Sequence, residues 1–511
     1  VIEPLLGPEG VIRLREALRG HGYTSTGIAN RIGAEATAAL RRNDLRAALR
    51  ATAGEHDPLG TLIRLFVCGC SEPGERVARA LVPLPLPDAL DAGLVVPSVE
   101  SGQLQAGVDL DPYGEDWWVV ADLSPNARTG PPPVDFVLGV GGASTTLANA
   151  TVRASVGTAL DLGTGCGVQA LHLSTHAQQV TATDVAPRAL RFAATTAALS
   201  GQQWELLAGD LTAPVAGRRF DLVVSNPPFI AGPGGPARYV YRDSGRPGDA
   251  VCAELAAAAP GLLTPGGTMQ YMANWLHVAG ESWQERVASW VTGAPGDASP
   301  GAGLDAWIVQ REVTDPVSYV NLWLADAGEA ATTATGRRLA DEWLDWFDAH
   351  RVEAVGLGVV NLRNNGHIDP VVRVEELRQP FQQRLGDHVN TWFDRQQWLR
   401  DAGSTRQPES LLGHRYRAAD GLRLQQDASL GSAGWGVDRQ VLSLSGGLCW
   451  SEEIDPLVLA LVSGCDGRLT LLDQIDVLAA AHEVPAADLA EVAGPIVAHL
   501  LERGFIEAVP A

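Results

Sequence analysis

The sequence predicts an α/β chain: a doubly wound sheet in the middle, flanked at both ends by mainly helical, winged-helix-like domains. Three observations predict it. From about Val134 short apolar strands alternate with helical patterns, helical spacing dominates the regions before and after them, and a proline run, Pro131-Pro132-Pro133, separates the first region from the second. At roughly 150 residues per domain, a chain of 511 residues has room for about three, and the expected boundaries are 1–130, 131–365 and 366–511.

In chain order, Val11 to Arg19, Thr24 to Ile32 and Asn43 to Arg50 carry helical spacing, and Leu59 to Phe66 is a further apolar run. Val95-Val96, a polar turn at Glu100 to Gly102 and the alternation Leu104, Ala106, Val108, Leu110 then read as a small hairpin, completing the winged-helix-like pattern. Strands of the central sheet are expected at Ala159 to Leu162, Gln179 to Thr183, Trp204 to Ala208, Leu222 to Ser225, Thr268 to Met272 and Ala306 to Val313. Val355 to Leu362 reads as a last strand pairing with 306–313. The intervening 315–350, with Trp323, Trp343 and Trp346, is then a helical insertion that caps a site or packs on the sheet, and plain packing is the commoner arrangement. Past Asn364-Asn365-Gly366, helical patterns at Pro456 to Val462, Thr470 to Ala480 and Ala487 to Leu501 precede a short strand at Phe505-Ile506.

Composition narrows the function classes. With 46% hydrophobic and 19% charged residues the chain is neither fibrous nor wholly disordered. It shows no apolar stretch long enough to span a bilayer, so a cytoplasmic protein without membrane partners is expected. The six cysteines, Cys68, Cys70, Cys166, Cys252, Cys449 and Cys465, include no CxxC pair, which argues against a disulfide scaffold or zinc ribbon. His172 and His176 are four apart, but no third metal ligand accompanies them. A net charge of −22 disfavours genomic DNA as a partner. All the basic residues are arginines, and within 10–50 they outnumber the acids; Arg42, Arg46 and Arg50 at i, i+4, i+8 are expected to share a helix face.

Two segments carry chemistry. In the first, Ala159-Leu160-Asp161-Leu162-Gly163-Thr164-Gly165-Cys166-Gly167-Val168, an apolar strand enters a glycine turn and then a helix, which is the setting of a nucleotide-type ligand. Asp184, followed by Val185, ends the next strand, where a carboxylate accepts hydrogen bonds from ribose hydroxyls. Gly209-Asp210-Leu211 ends the third, within reach of an adenine amino group. In the second segment, Asp221 to Ser225 delivers Asn226-Pro227-Pro228-Phe229, a rigid turn at the carboxyl end of the sheet. An amide or aromatic amino nitrogen is a poor nucleophile because its lone pair is delocalised. If the Asn226 side-chain oxygen and the Pro227 carbonyl accept its two N–H hydrogens, the lone pair is turned toward an incoming methyl group. Phe229 is expected to stack on the planar target.

The texts DLGTGCGVQAL, ATDVAPRAL, GDLTAPVAGRRFDLVVSNPPFI and LLTPGG within residues 155–275 resemble the Rossmann-like class I amino-methyltransferases with an (N/D)PP(Y/F) motif, most closely the HemK-like family, which modifies the glutamine of peptide release factors. The resemblance implies S-adenosylmethionine as cofactor. It places Asp161, Gly163, Thr164, Gly165, Gly167, Asp184, Val185, Asp210, Leu211 and Asn226 at the donor, and Asn226, Pro227, Pro228 and Phe229 at the target nitrogen. The family's proline-arginine-rich stretch is replaced here by Val137 to Thr146, and Tyr241 to Asp249 only partly matches its glycine-rich substrate loop. A protein glutamine, possibly of a release factor, and a base of structured RNA, extruded against Phe229, therefore stay open as substrates, with a small metabolite third. A winged-helix regulator that binds S-adenosylmethionine without catalysis is the alternative from another class.

Overall fold

The computed structural model describes residues 2–42, 44–54, 57–124, 132–235, 239–293, 303–326, 333–366, 370–379, 384–403, 408–432 and 434–509. Pro131, named above as a boundary, Asn43, and the stretch 327–332 inside the helical insertion lie outside these residues. The chain divides into two compact units, one of residues 1–148 and 154–376 and one of 149–153 and 377–511.

The first unit is organised by an eight-stranded sheet. In chain order its elements are β1 (Val156–Leu162), α1 (Val168–Leu173), β2 (Ala177–Asp184), α2 (Pro187–Leu199), β3 (Glu205–Ala208), β4 (Phe220–Ser225), α3 (Ala250–Leu262), β5 (Leu263–Val278), α4 (Trp283–Thr292), β6 (Leu304–Thr314), α5 (Pro316–Asp326), α6 (Ala334–Ala349), β7 (Val352–Asn364) and β8 (Val372–Glu376). The spatial order is β3-β2-β1-β4-β5-β7-β6-β8. Strands β3 to β5 run parallel, and their central members read as apolar runs because helices cover both faces. The expected parallel sheet is mixed in fact: β7 inserts antiparallel between β5 and β6. Its pairing with β6, Ala306 opposite Leu362, is the one read from the sequence.

Winding reverses at β1, which sends the chain outward to β2 and β3 before it returns at β4. That reversal opens a crevice at the carboxyl ends of β1 and β4. Register places Leu162 opposite Ser225, and the Ser225 hydroxyl donates to the Leu162 carbonyl at 2.7 Å, so both chemistry-bearing turns leave the sheet side by side.

Residues before 125 pack on this half of the sheet. The helices Pro8–Gly20 and Ser25–Leu40 and the strand Trp117–Ala121 share one apolar core with α1 and α2, joining Leu14, Tyr23 and Trp118 to Leu171, Phe192 and Leu199. Backbone amides of Leu5 and Val120 donate to Thr195 and Thr196 of α2. The expected hairpin 92–110 splits near Gly107: Gln103–Ala106 pairs with Val95–Pro97, whereas Asp109–Tyr113 pairs with Trp117–Ala121. A Cβ at Gly107 would meet the Gly93 carbonyl oxygen at 2.2 Å, so the crossing requires glycine.

The second unit holds the helices Leu385–Asp401, Pro456–Gly464, Leu471–His482 and Ala486–Arg503 around a core that includes Tyr416, Val497 and Phe505. A three-stranded sheet orders Asp466–Thr470, Arg415–Ala418 and Ile506–Ala508. Thr470 and Asp473 form a reciprocal cap that starts the third helix. No helix among the described residues is long and apolar enough to cross a membrane.

Candidate active site

Strand β1 ends in a turn shaped by its glycines. Gly163 and Gly165 take φ of 76° and 53°, and nothing lies within 4 Å of the position a Cβ would occupy at either, so bare backbone faces open space. Gly167, expected at the ligand, has a different role. It caps α1 at φ 86°, and a Cβ there would strike the Trp204 ring at 2.7 Å.

Asp161 is fully buried beneath this turn. Its Oδ2 accepts from the Thr164 hydroxyl at 2.6 Å and from the Ala170 amide at 3.1 Å, while Oδ1 has no hydrogen-bond partner among the described residues. Burial pushes its carboxyl up to about 7, against the two hydrogen bonds, and the nearby Asp184 adds to the rise. At the end of β2, Asp184 accepts from the amides of Gly165 and Ala186, each at 2.9 Å, which stitches the second turn to the first. Burial raises its carboxyl too, and the backbone bonds oppose that.

A cavity of about 370 Å³ opens over these turns, and Gly163, Thr164, Gly165, Asp184, Val185, Asp210 and Leu211 all line it. Asn226 and Pro228 reach the same cavity from β4. The loop before α1 contributes a residue the sequence reading did not single out: Ser144, whose hydroxyl accepts from Asn226 Nδ2 at 3.4 Å and whose carbonyl accepts from Gln169 at 2.8 Å. With Nδ2 turned to Ser144, Asn226 Oδ1 is left buried without a hydrogen-bond partner among the described residues. A glycine cradle open to the cavity, an acid at each strand end and two unsatisfied buried oxygens fit an adenosyl ligand carrying N–H donors.

Pro227 and Phe229 line neither this cavity nor the one beside it. Phe229, expected to stack on a target, is only 7% exposed and meets Trp323 of α5 edge to face, with centroids 6.4 Å apart. Helix α5 holds the turn at a second point, where the buried Ala231 amide donates to Tyr319 Oη at 2.8 Å. It also fixes the loop before α3, because Arg242, itself paired with Asp243, donates to the Trp323 carbonyl at 2.8 Å.

The helical insertion therefore does more than pack. Together with the glycine-rich 232–235 it encloses a second cavity of about 250 Å³, and Asp243, Ser244 and Arg246 line both cavities. The tryptophan spacing was visible in the sequence, but that Trp323 and Trp343 face a cavity was not. The arginine face is not formed. Helix Ser25–Leu40 ends before Arg42, which sits in a turn, and Arg46–Ala51 is a separate helix of six residues. Arg46 is tied to Asp44 at 2.7 Å and Arg31 to Asp57 at 2.9 Å. Among the described residues no group of three or more His, Cys, Asp or Glu is placed to hold a metal ion.

Comparison with known proteins bears on the same residues. The family described as methyltransferase small domain matches 139–282, and two domains of unknown function match 20–107 and 390–508. The ribosomal RNA small subunit methyltransferase C of Alcanivorax borkumensis is 34% identical over 118 residues, covering 23% of this chain and 32% of that protein. The release factor glutamine methyltransferase of Deinococcus radiodurans is 37% identical over 155 residues, covering 26% of this chain and 54% of that one. The chain thus spans about a third to about half the length of these curated relatives. A solved methyltransferase from Pyrococcus furiosus aligns with a TM-score of 0.26 at 14% identity, over 43% of this chain and 81% of that one. The segment 139–282, which carries the glycine cradle and the Asn226 turn, belongs to the methyltransferase small domain family and forms a HemK-like class I methyltransferase core.

Proposed function

We propose that the chain is an S-adenosylmethionine-dependent N-methyltransferase acting on a planar amide or amino nitrogen, with a protein glutamine as the acceptor and the cytoplasm as its place of action. The observation that carries it is Asn226 Oδ1, buried and unsatisfied at the switch point beside the glycine cradle. When bound, S-adenosylmethionine supplies an electrophilic methyl group on a sulfonium. Gly163, Thr164 and Gly165 would hold it with backbone, Asp184 and Asp210 with carboxylates, and Asp161 from beneath. Asn226 Oδ1 and the Pro227 carbonyl would accept the two hydrogens of the target nitrogen and orient its lone pair, a preorganised polar site of the kind that dominates many rate enhancements. No strong base is required first, because the proton leaves after methylation.

A base of structured RNA is the second reading, favoured by the rRNA methyltransferase among the relatives. The turn at Arg42 and the pairing of Arg31 and Arg46 weigh against it, since phosphate binding draws on unpaired cations. The test is transfer of labelled methyl from S-adenosylmethionine into a cell extract that is then split between protease and ribonuclease. Label lost to protease supports the glutamine acceptor and label lost to ribonuclease the RNA base. Donor binding without any label would replace catalysis with the sensor reading.

A further inference from the structure

The second cavity belongs to neither the donor turns nor the Asn226 turn. Its walls are largely apolar: Ile230 from the segment after Phe229, Val320, Trp323 and Leu324 from α5, and Leu339 and Trp343 from α6. The opposite wall is backbone, because Gly232 lies so close to Trp343 that a Cβ would stand 3.1 Å from the indole. Its arginines are engaged: Arg242 with Asp243 at 3.0 Å, Arg246 with Glu254 at 2.6 Å and Arg338 with Glu342 at 3.4 Å. At Asp243, Ser244 and Arg246 it is continuous with the cavity that holds Asn226.

Resting on the methyltransferase reading above, we propose that this second cavity is an acceptor subsite that takes an apolar side chain adjoining the methylated residue of a protein, with Trp343 as its selecting wall. Continuity with the Asn226 cavity gives the direction: an acceptor whose nitrogen reaches Asn226 passes 243–246 and lays its neighbouring residue between α6 and the glycine loop. The lining chemistry gives the class. An indole and aliphatic wall gains by covering apolar surface, and arginines already bonded to carboxylates are poorly placed to bind a phosphodiester. Tyr319 and Trp323 hold the Asn226 turn and this wall on one helix, so occupancy of the subsite and placement of the target nitrogen are linked.

The probes are synthetic glutamine-centred pentapeptides flanked by glycine, leucine or phenylalanine, and a short single-stranded RNA. Binding is measured by calorimetry on the protein loaded with sinefungin, a donor analogue, and methyl transfer is measured separately. Leucine and phenylalanine flanks are expected to bind about tenfold tighter than glycine. Trp343→Ala should erase that preference, Trp343→Phe should keep most of it, and Gly232→Ala should weaken the bulky flanks selectively, all with sinefungin affinity unchanged. Equal binding of the three peptides, tighter binding of the RNA, or a preference that survives Trp343→Ala and Gly232→Ala overturns the subsite. Flank preference without methyl transfer to any peptide overturns the methyltransferase reading and leaves the subsite standing, whereas transfer without preference does the reverse.

Discussion

The larger cavity draws on turns that follow successive strands of the sheet, whereas the smaller one is assembled from a glycine loop near 232 and two helices inserted much later, between β6 and β7. In the first, backbone conformation does the shaping: Gly163 and Gly165 in left-handed conformations, and Asp184 stitched to the Gly165 amide. In the second, side chains do it, with Trp343 over Gly232 and Trp323 against Phe229. The contrast separates two demands on one fold. A cofactor of fixed shape is met by motifs at fixed places on the sheet, and an acceptor particular to one chain is met by an insertion that the sheet tolerates at its far side.

The two cavities meet at Asn226 and the residues 243–246, and breaking that junction has the largest expected effect. Asn226→Ala should lower kcat by about 100- to 1,000-fold, as loss of a preorganised polar partner does, while leaving S-adenosylmethionine affinity within about twofold. Steady-state kinetics with calorimetric donor titration checks it, and a matching loss of donor affinity would place Asn226 on the donor side alone. Next in size, Gly165→Val should perturb only the larger cavity. A β-branched residue at φ 53° is strained by about 1–2 kcal/mol and fills the space the cradle leaves open, so the donor Kd should rise at least about tenfold. Peptide binding, read independently, should not follow it.

Tyr319→Phe probes the smaller cavity in the same spirit and with a smaller effect. The ring and its packing stay, but the buried Ala231 amide loses its acceptor, which costs about 1–3 kcal/mol. We expect a fall of several degrees in Tm and a drop in kcat of roughly fivefold to tenfold, with donor affinity unaltered. A lowered Tm with unchanged kcat would make Tyr319 a packing residue and no more.

The same division explains what the sequence made legible. The sheet and its switch point could be read because Phe220 to Ser225 and Ala159 to Leu162 are apolar runs with fixed exits, and the donor residues sit within a few positions of those exits. Gly167 was read as a ligand contact because spacing alone does not distinguish a glycine that faces a cofactor from one pressed by Trp204. Phe229 was assigned to the target because its partner, Trp323, lies far along the chain, and no local pattern reports such a contact. The arginine face failed for a local reason that was on view: Asn43-Asp44 is a turn signal, and it interrupts the helix that i, i+4 spacing requires. Ser144 sits in a stretch where the familiar family text is replaced, so only its hydrogen bonds to Asn226 and Gln169 revealed it.

The smallest predicted effect sharpens the donor side through pH. Asp161 titrates near 7 in the folded chain because burial outweighs its two hydrogen bonds, against about 3.9 when unfolded. The folded state therefore holds the proton more tightly. Between about pH 4 and 7 it binds more protons than the unfolded chain, and this group lowers stability progressively as pH rises through that window. A cationic donor favours the opposite form, since its ammonium and sulfonium stabilise the carboxylate whose Oδ1 is unsatisfied. S-adenosylmethionine affinity should accordingly rise a few-fold from pH 6 to pH 8, with proton release on binding that is largest below pH 7 and visible in calorimetry as a dependence of apparent enthalpy on buffer ionisation. Asp161→Asn should flatten that profile. Acceptor-peptide binding to the smaller cavity, which Asp161 does not line, should show no matching change, and a shared pH profile for the two ligands would mean that the cavities are coupled more tightly than their three common residues suggest.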